Sequence, residues 1–194
     1  MQVMKEEVKL EAPGAGLPGF EAKVAKLVFP LLAKLRSPAV FRRLFEDEAR
    51  TILQLVDRIS DAQGGKRVLI DRVRGIEDSR RHWSVFMTLE HLAMVHLGIV
   101  GVIKSLGAGS KPGREVRIED VKPDPKTGPE AVEHFQKSLE LVRKVGEGMK
   151  SRSKTPGHEH PWFGVLSARQ WYALVCVHMK IHRRQIEAIL AGIN

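Results

Sequence analysis

Ser167-Ala168-Arg169-Gln170-Trp171-Tyr172-Ala173-Leu174-Val175-Cys176-Val177-His178-Met179-Lys180-Ile181-His182-Arg183-Arg184-Gln185-Ile186-Glu187-Ala188-Ile189-Leu190-Ala191-Gly192-Ile193 is the stretch that decides the fold. It contains no proline, its one glycine is Gly192, and its charges recur at helical spacing, so the pattern predicts a single long helix. At about 100° per residue, Arg183, Arg184 and Glu187 fall within about 60° of Lys180 and form a solvated stripe. His178, His182 and Gln185 lie opposite, on the side of Trp171, Leu174 and Ile189. Two imidazoles and an amide are therefore expected in the core, where polar groups need partners.

Side chains four apart stack on one helix face, so His178 and His182 can reach one metal ion. The spacing alone is weak evidence, because the glutamate that follows the first histidine of the zinc-protease motif is missing. Satisfied core histidines are the competing reading.

Working outward, 194 residues with 43% hydrophobic and 28% charged content suit one domain with a sizeable core. The single cysteine, Cys176, rules out a disulfide framework and a cysteine-rich zinc site, and suits a cytoplasmic location. Cys176 itself reads as a small packed side chain near the charged edge. The N-terminal residues show no apolar leader, and the longest apolar run, about 92–103, is interrupted by His96; no signal peptide or membrane span is expected. A net charge of +9 is compatible with nucleic acid or an anionic substrate. The basic residues are interspersed with 23 acidic ones, which favours a solvated surface over a phosphate-tracking groove.

Residues 1–19 read as a loosely held Gly/Pro-rich arm, and 20–36 as a short helix broken at Pro30. Ser37-Pro38 starts the first long helix, to about Ala62. A connector with a possible extended piece at 68–73 leads to the second, about 79–106, which is apolar on nearly all sides and belongs in the middle of a bundle. The segment 107–129 reads as a long loop with at most a short extended piece at 116–118. The third helix, about 129–149, points Phe135, Leu139, Val142, Val145 and Met149 inward. A loop from Ser151 to Pro161 delivers the chain to the last helix. The expected organisation is an all-α four-helix bundle over 38–194, preceded by an arm and extra helix over 1–37. The long connections leave an up-down-up-down order open.

Trp83-Ser84 followed by Leu89-Glu90-His91-Leu92, then His160-Pro161-Trp162-Phe163-Gly164-Val165-Leu166, then His178, His182, Arg183 and Gln185, resemble the DinB/YfiT-like four-helix bundles. The His-Pro-x-Phe-Gly-x-Leu approach is similar to a branch with no assigned function. The resemblance covers roughly residues 39 to 191. It implies a divalent metal held by one histidine of the second helix and two of the last, by position His91, His178 and His182. Periodicity does not choose between His91 and His96; the resemblance does. His96 lies about 140° around the helix, unsuited to the same ion.

Three neutral imidazoles suit zinc, nickel, iron or cobalt and leave positions open. Such an ion could activate water, or bind a low-molecular-weight thiol cofactor. Gln185 reads either as a contact to water or substrate or as an amide bonded to a neighbouring helix. Glu90 reads as an interhelix or surface carboxylate, His158 and His160 as loop and capping residues, and Trp162, Phe163 and Trp171 as packing aromatics. No general base can be assigned. The leading expectation is a metal-dependent small-thiol S-transferase or hydrolase acting on a small molecule, as a homodimer. The alternative is a non-catalytic metal-binding, stress-associated or nucleic-acid-interacting protein.

Overall fold

In the computed structural model, the described residues are 9–12, 14–113, 117–149 and 156–193. Among them the helices are α1 (Gly19–Leu35), α2 (Pro38–Val56), α3 (Asp61–Gly65), α4 (Val85–Gly107), α5 (Glu130–Glu147) and α6 (Ala168–Ala191). Two small antiparallel ladders join them: β1 (Val68–Leu69) with β2 (His82–Trp83), and β3 (His158–His160) with β4 (Gly164–Leu166).

The long helices α2, α4, α5 and α6 form an all-α bundle. Going round it, α2 packs on α5, α5 on α4, α4 on α6, and α6 on α2, while α1 lies against α6. The sequence neighbours α2 and α4 thus sit on a diagonal, which the long segment between them allows. Phe45 and Ile52 of α2, Leu89 and Leu92 of α4, Phe135 and Leu139 of α5, and Trp171 and Ile186 of α6 are all essentially buried. Each contributes on the order of 1.5–3 kcal/mol from removal of its apolar surface from water.

Several boundaries differ from the periodic reading. The first long helix stops at Val56 because Ser60 starts a separate turn: its Oγ accepts from Gln63 N–H while its own N–H donates to Gln63 Oε1 at 2.9 Å. The second begins at Val85, because Ser84 caps it by accepting from Met87 N–H at 3.1 Å. The preceding 78–83 forms a 3-10 turn and then β2. α1 continues through Pro30 without a break. Lys26, whose carbonyl loses its helical partner to the proline, lies on the exposed side of the helix.

Of the extended piece expected at 116–118, Val116 lies outside the described residues, and Arg117 and Ile118 lead into a 3-10 turn at Glu119–Val121. The described part of the supposed loose arm is tied down instead: Glu11 N–H donates to Asp78 at 2.9 Å and Gly16 N–H to Glu77 at 3.0 Å. Residues 1–8 and 13 lie outside the described set. The stripe on α6 is only partly solvated, because Arg183 ion-pairs with the buried Glu48 of α2 as well as with Glu187. α4 is long and apolar enough to cross a membrane, but 67% of its most apolar window is buried inside the bundle.

Candidate metal centre

The contact between α4 and α6 brings three histidines together. His178 and His182 stand one turn apart on α6, and His91 projects from α4 between them. His178 Nε2 lies 3.0 Å from His182 Nε2 and 3.2 Å from His91 Nε2. One nitrogen from each ring falls within 4.8 Å of the others, a cluster that could hold a metal ion. His91 and His182 are buried, and His178 is half-buried.

Hydrogen bonds fix the tautomers of two rings. Gln185 donates through Nε2 to the Arg80 carbonyl at 2.7 Å, so its Oε1 accepts from His182 Nδ1 at 2.6 Å. His91 Nδ1 donates to the Val121 carbonyl at 2.6 Å. Both Nε2 atoms are therefore unprotonated, with lone pairs facing the same small space. Hydrogen bonds can meet these two lone pairs separately, from Arg80 Nη1 to His91 at 2.9 Å and from a protonated His178 Nε2 to His182 at 3.0 Å, whereas a divalent cation would take both together with His178 as third donor. His178 Nδ1 has no partner among the described residues.

Burial also keeps the rings neutral. It holds the pKa of His91 and His178 well below the usual histidine range and that of His182 down at about 3, with the Arg80 guanidinium adding to the effect in each. Uncharged imidazole is the form that ligates metal, so the donor set fits a divalent ion.

Sequence reasoning missed the surrounding groups. Arg80, 7% exposed, places Nη1 2.9 Å from His91 Nε2, lies over Trp83, and pairs with the buried Glu77 at 3.4 Å. Nothing in the run Asp78-Ser79-Arg80-Arg81 separates Arg80 from Arg81; only the 3-10 turn aims one inward and the other at Asp78. Val121, in a 3-10 turn, and Trp83, in β2 with its ring stacked at 9° to His182, likewise sit outside the long helices.

His91, His178 and Arg80 line a cavity of about 560 Å³ whose other walls are mostly apolar, including Phe29 of α1, Ile99 and Val102 of α4 and Leu174 of α6. His160, Trp162, Phe163 and Trp171 line it too. His160 is a buried strand residue rather than a loop cap, its ring 4.8 Å from Phe163 and 5.2 Å from Trp171. Trp171 is core as expected, but Trp162 and Phe163 are half-buried walls of the cavity. His158, in the same strand, rests against Trp171 and stays outside the cluster.

The remaining candidates go elsewhere. Gln185 orients His182 and is fully buried, so it holds the ring through the Arg80 segment and makes no approach to the cavity lining. Glu90 bridges to His134 of α5 at 2.8 Å. His96 pairs with Ser138 at 2.8 Å. Cys176 is fully buried with its thiol directed at the Tyr172 carbonyl.

Fold and site together define an all-α bundle with a three-histidine pocket between two of its helices. The sequence profile of the DinB superfamily matches residues 44–186, and the chain belongs to that superfamily. No curated protein and no solved structure matches it.

Proposed function

We propose that this chain binds one divalent metal ion, zinc, nickel or iron, through His91, His178 and His182, and acts as a metal-dependent enzyme on a small molecule. The observation that carries the reading is the convergence of three neutral imidazoles, two of which, His91 and His178, line a cavity of about 560 Å³. When bound, the ion supplies Lewis acidity for activating water, as in a hydrolase, or a low-molecular-weight thiol, as in an S-transferase. The chain's own residues hold the rings by Val121 and Gln185 and exclude bulk water with apolar walls. The volume suits a small molecule.

The test is elemental mass spectrometry on untagged protein, wild type beside His178→Ala, followed by turnover assays with thiols, electrophiles and esters. Near-stoichiometric metal lost in the variant supports the site. A folded, reconstituted wild type that takes up no metal refutes it. Turnover of none of these substrates by metal-loaded protein would favour the non-catalytic, stress-associated alternative.

We further propose a homodimer built on α1. Phe20, Leu27, Leu31 and Leu35 are 83, 77, 56 and 71% exposed, an apolar face that a second copy of the same helix would cover. A monomeric mass by light scattering would contradict it. The free, buried Cys176 suits a reducing cytoplasm.

A further inference from the structure

Arg80 is buried, charged and aimed at the same lone pair that a metal ion would take. Because His91 Nδ1 donates to Val121, the Nε2 of that ring has one lone pair to offer, and at 2.9 Å the Arg80 Nη1 uses it. A metal at His91 claims that lone pair, and the guanidinium loses its acceptor. Arginine cannot become neutral by giving up its proton. Its other anchor, Glu77, is reached through Nε at 3.4 Å and leaves the Nη1 side facing the cavity.

Charge and shape then specify what restores the bond. With three neutral rings, Arg80 balanced by Glu77, Glu21 by Arg72, and one further charge of each sign on the lining at Arg117 and Asp120, a divalent ion leaves the cavity with a net positive charge. The walls away from the ion are mostly apolar, with Phe29, Val95, Ile99, Val102, Phe163 and Leu174 among them. Resting on the metal reading above, we infer that the cavity takes an amphipathic small molecule whose carboxylate pairs with Arg80 once a metal occupies His91, and whose apolar body lies against these walls. Metal and carboxylate binding are coupled: the first frees the guanidinium that the second uses.

The experiment uses octanoate and octanol as probes, titrated by calorimetry into zinc-loaded and zinc-free protein, with zinc content measured on every sample. In the wild type, octanoate is expected to bind at least ten-fold more tightly to the zinc-loaded form, and more tightly than octanol. The double variant Arg80→Gln/Glu77→Gln, which removes both charges and so avoids a lone buried carboxylate, should keep its zinc and lose the preference for octanoate. Arg80→Lys, which keeps the charge without the fork, should retain part of it. A zinc-loaded wild type that binds both probes equally, or a double variant that keeps the octanoate preference, overturns the inference and leaves the metal site standing. A folded wild type that takes up none of zinc, nickel or iron overturns both.

Discussion

His91 and His96 lie five residues apart on α4, both fully buried, and each carries a Nδ1 proton donated to an oxygen: His91 to the Val121 carbonyl, His96 to Ser138 Oγ, whose own proton goes to the Phe135 carbonyl. Each ring therefore presents an unprotonated Nε2 to the interior. For His91 that nitrogen meets two more imidazoles and a guanidinium. For His96 it has no partner among the described residues, and the nearest rings are Phe45 at 6.1 Å and Phe135 at 5.9 Å. Burial and tautomer are alike in the two; only convergence with α6 turns one into a candidate ligand. A buried histidine is a binding group by virtue of its company, and α4 carries one example of each kind.

The largest expected effect breaks the comparison outright. His91→Ala or His178→Ala should lower metal affinity on the order of 100-fold or more, since a ligand matters more than the outer groups that cost 10–100-fold. His96→Leu should leave metal content unchanged. Elemental mass spectrometry on the purified variants decides it, and loss of metal in His96→Leu would remove the distinction drawn above.

Next comes the outer bond. Gln185→Leu removes the acceptor from His182 Nδ1 and strands the Arg80 carbonyl, so metal affinity should fall by about 10–100-fold. Competition against a zinc chelator dye measures it. An unchanged affinity would mean that packing against Trp83 alone orients the ring.

How far the sequence reaches can be judged from these same residues. The facing of α5 follows from its period, and Phe135, Leu139 and Val142 are buried as that period requires. His178 and His182 were legible as a pair because both lie on one regular helix. His91 was legible only through family resemblance, because α4 is apolar on every side. The reason for that uniformity was hidden: one side, with Val95, Ile99 and Val102, lines the cavity instead of packing on a neighbouring helix. Arg80, Val121 and His160 were out of reach because their positions depend on two separate 3-10 turns and a two-stranded ladder, whose paths are set by long-range contacts without a period. The end of the first long helix was missed for a local reason, the capping box of Ser60 and Gln63.

Acid sharpens the comparison in metal-free protein. Burial holds His96 down at about 3 and His160 at about 4, below the unfolded value near 6.5. Between those values the unfolded chain binds protons that the folded chain refuses. Stability is therefore complete above pH 6.5 and falls as pH drops through the window, by about 1.4 kcal/mol per pH unit for each such histidine. Urea unfolding at pH 6.5 and 5 should show a smaller loss in His96→Leu than in wild type, by about 2 kcal/mol. Equal losses would mean that His96 is already protonated in the folded state.

The smallest effect concerns the neighbour of the ligand itself. Glu90 precedes His91 in sequence, and that adjacency alone would suggest a carboxylate supporting the metal ring. The helix turns it about 100° away, to His134 on α5, whose ring is half in solvent. An exposed pair of this kind contributes about 0–1 kcal/mol. Glu90→Ala should therefore cost under about 1 kcal/mol in urea unfolding and leave metal affinity within experimental error of wild type. A ten-fold loss of metal would place the carboxylate in contact with the His91 network and make sequence adjacency the better guide on α4. The Val121 carbonyl already occupies the only nitrogen of His91 that faces away from the cluster, which is why no such loss is expected.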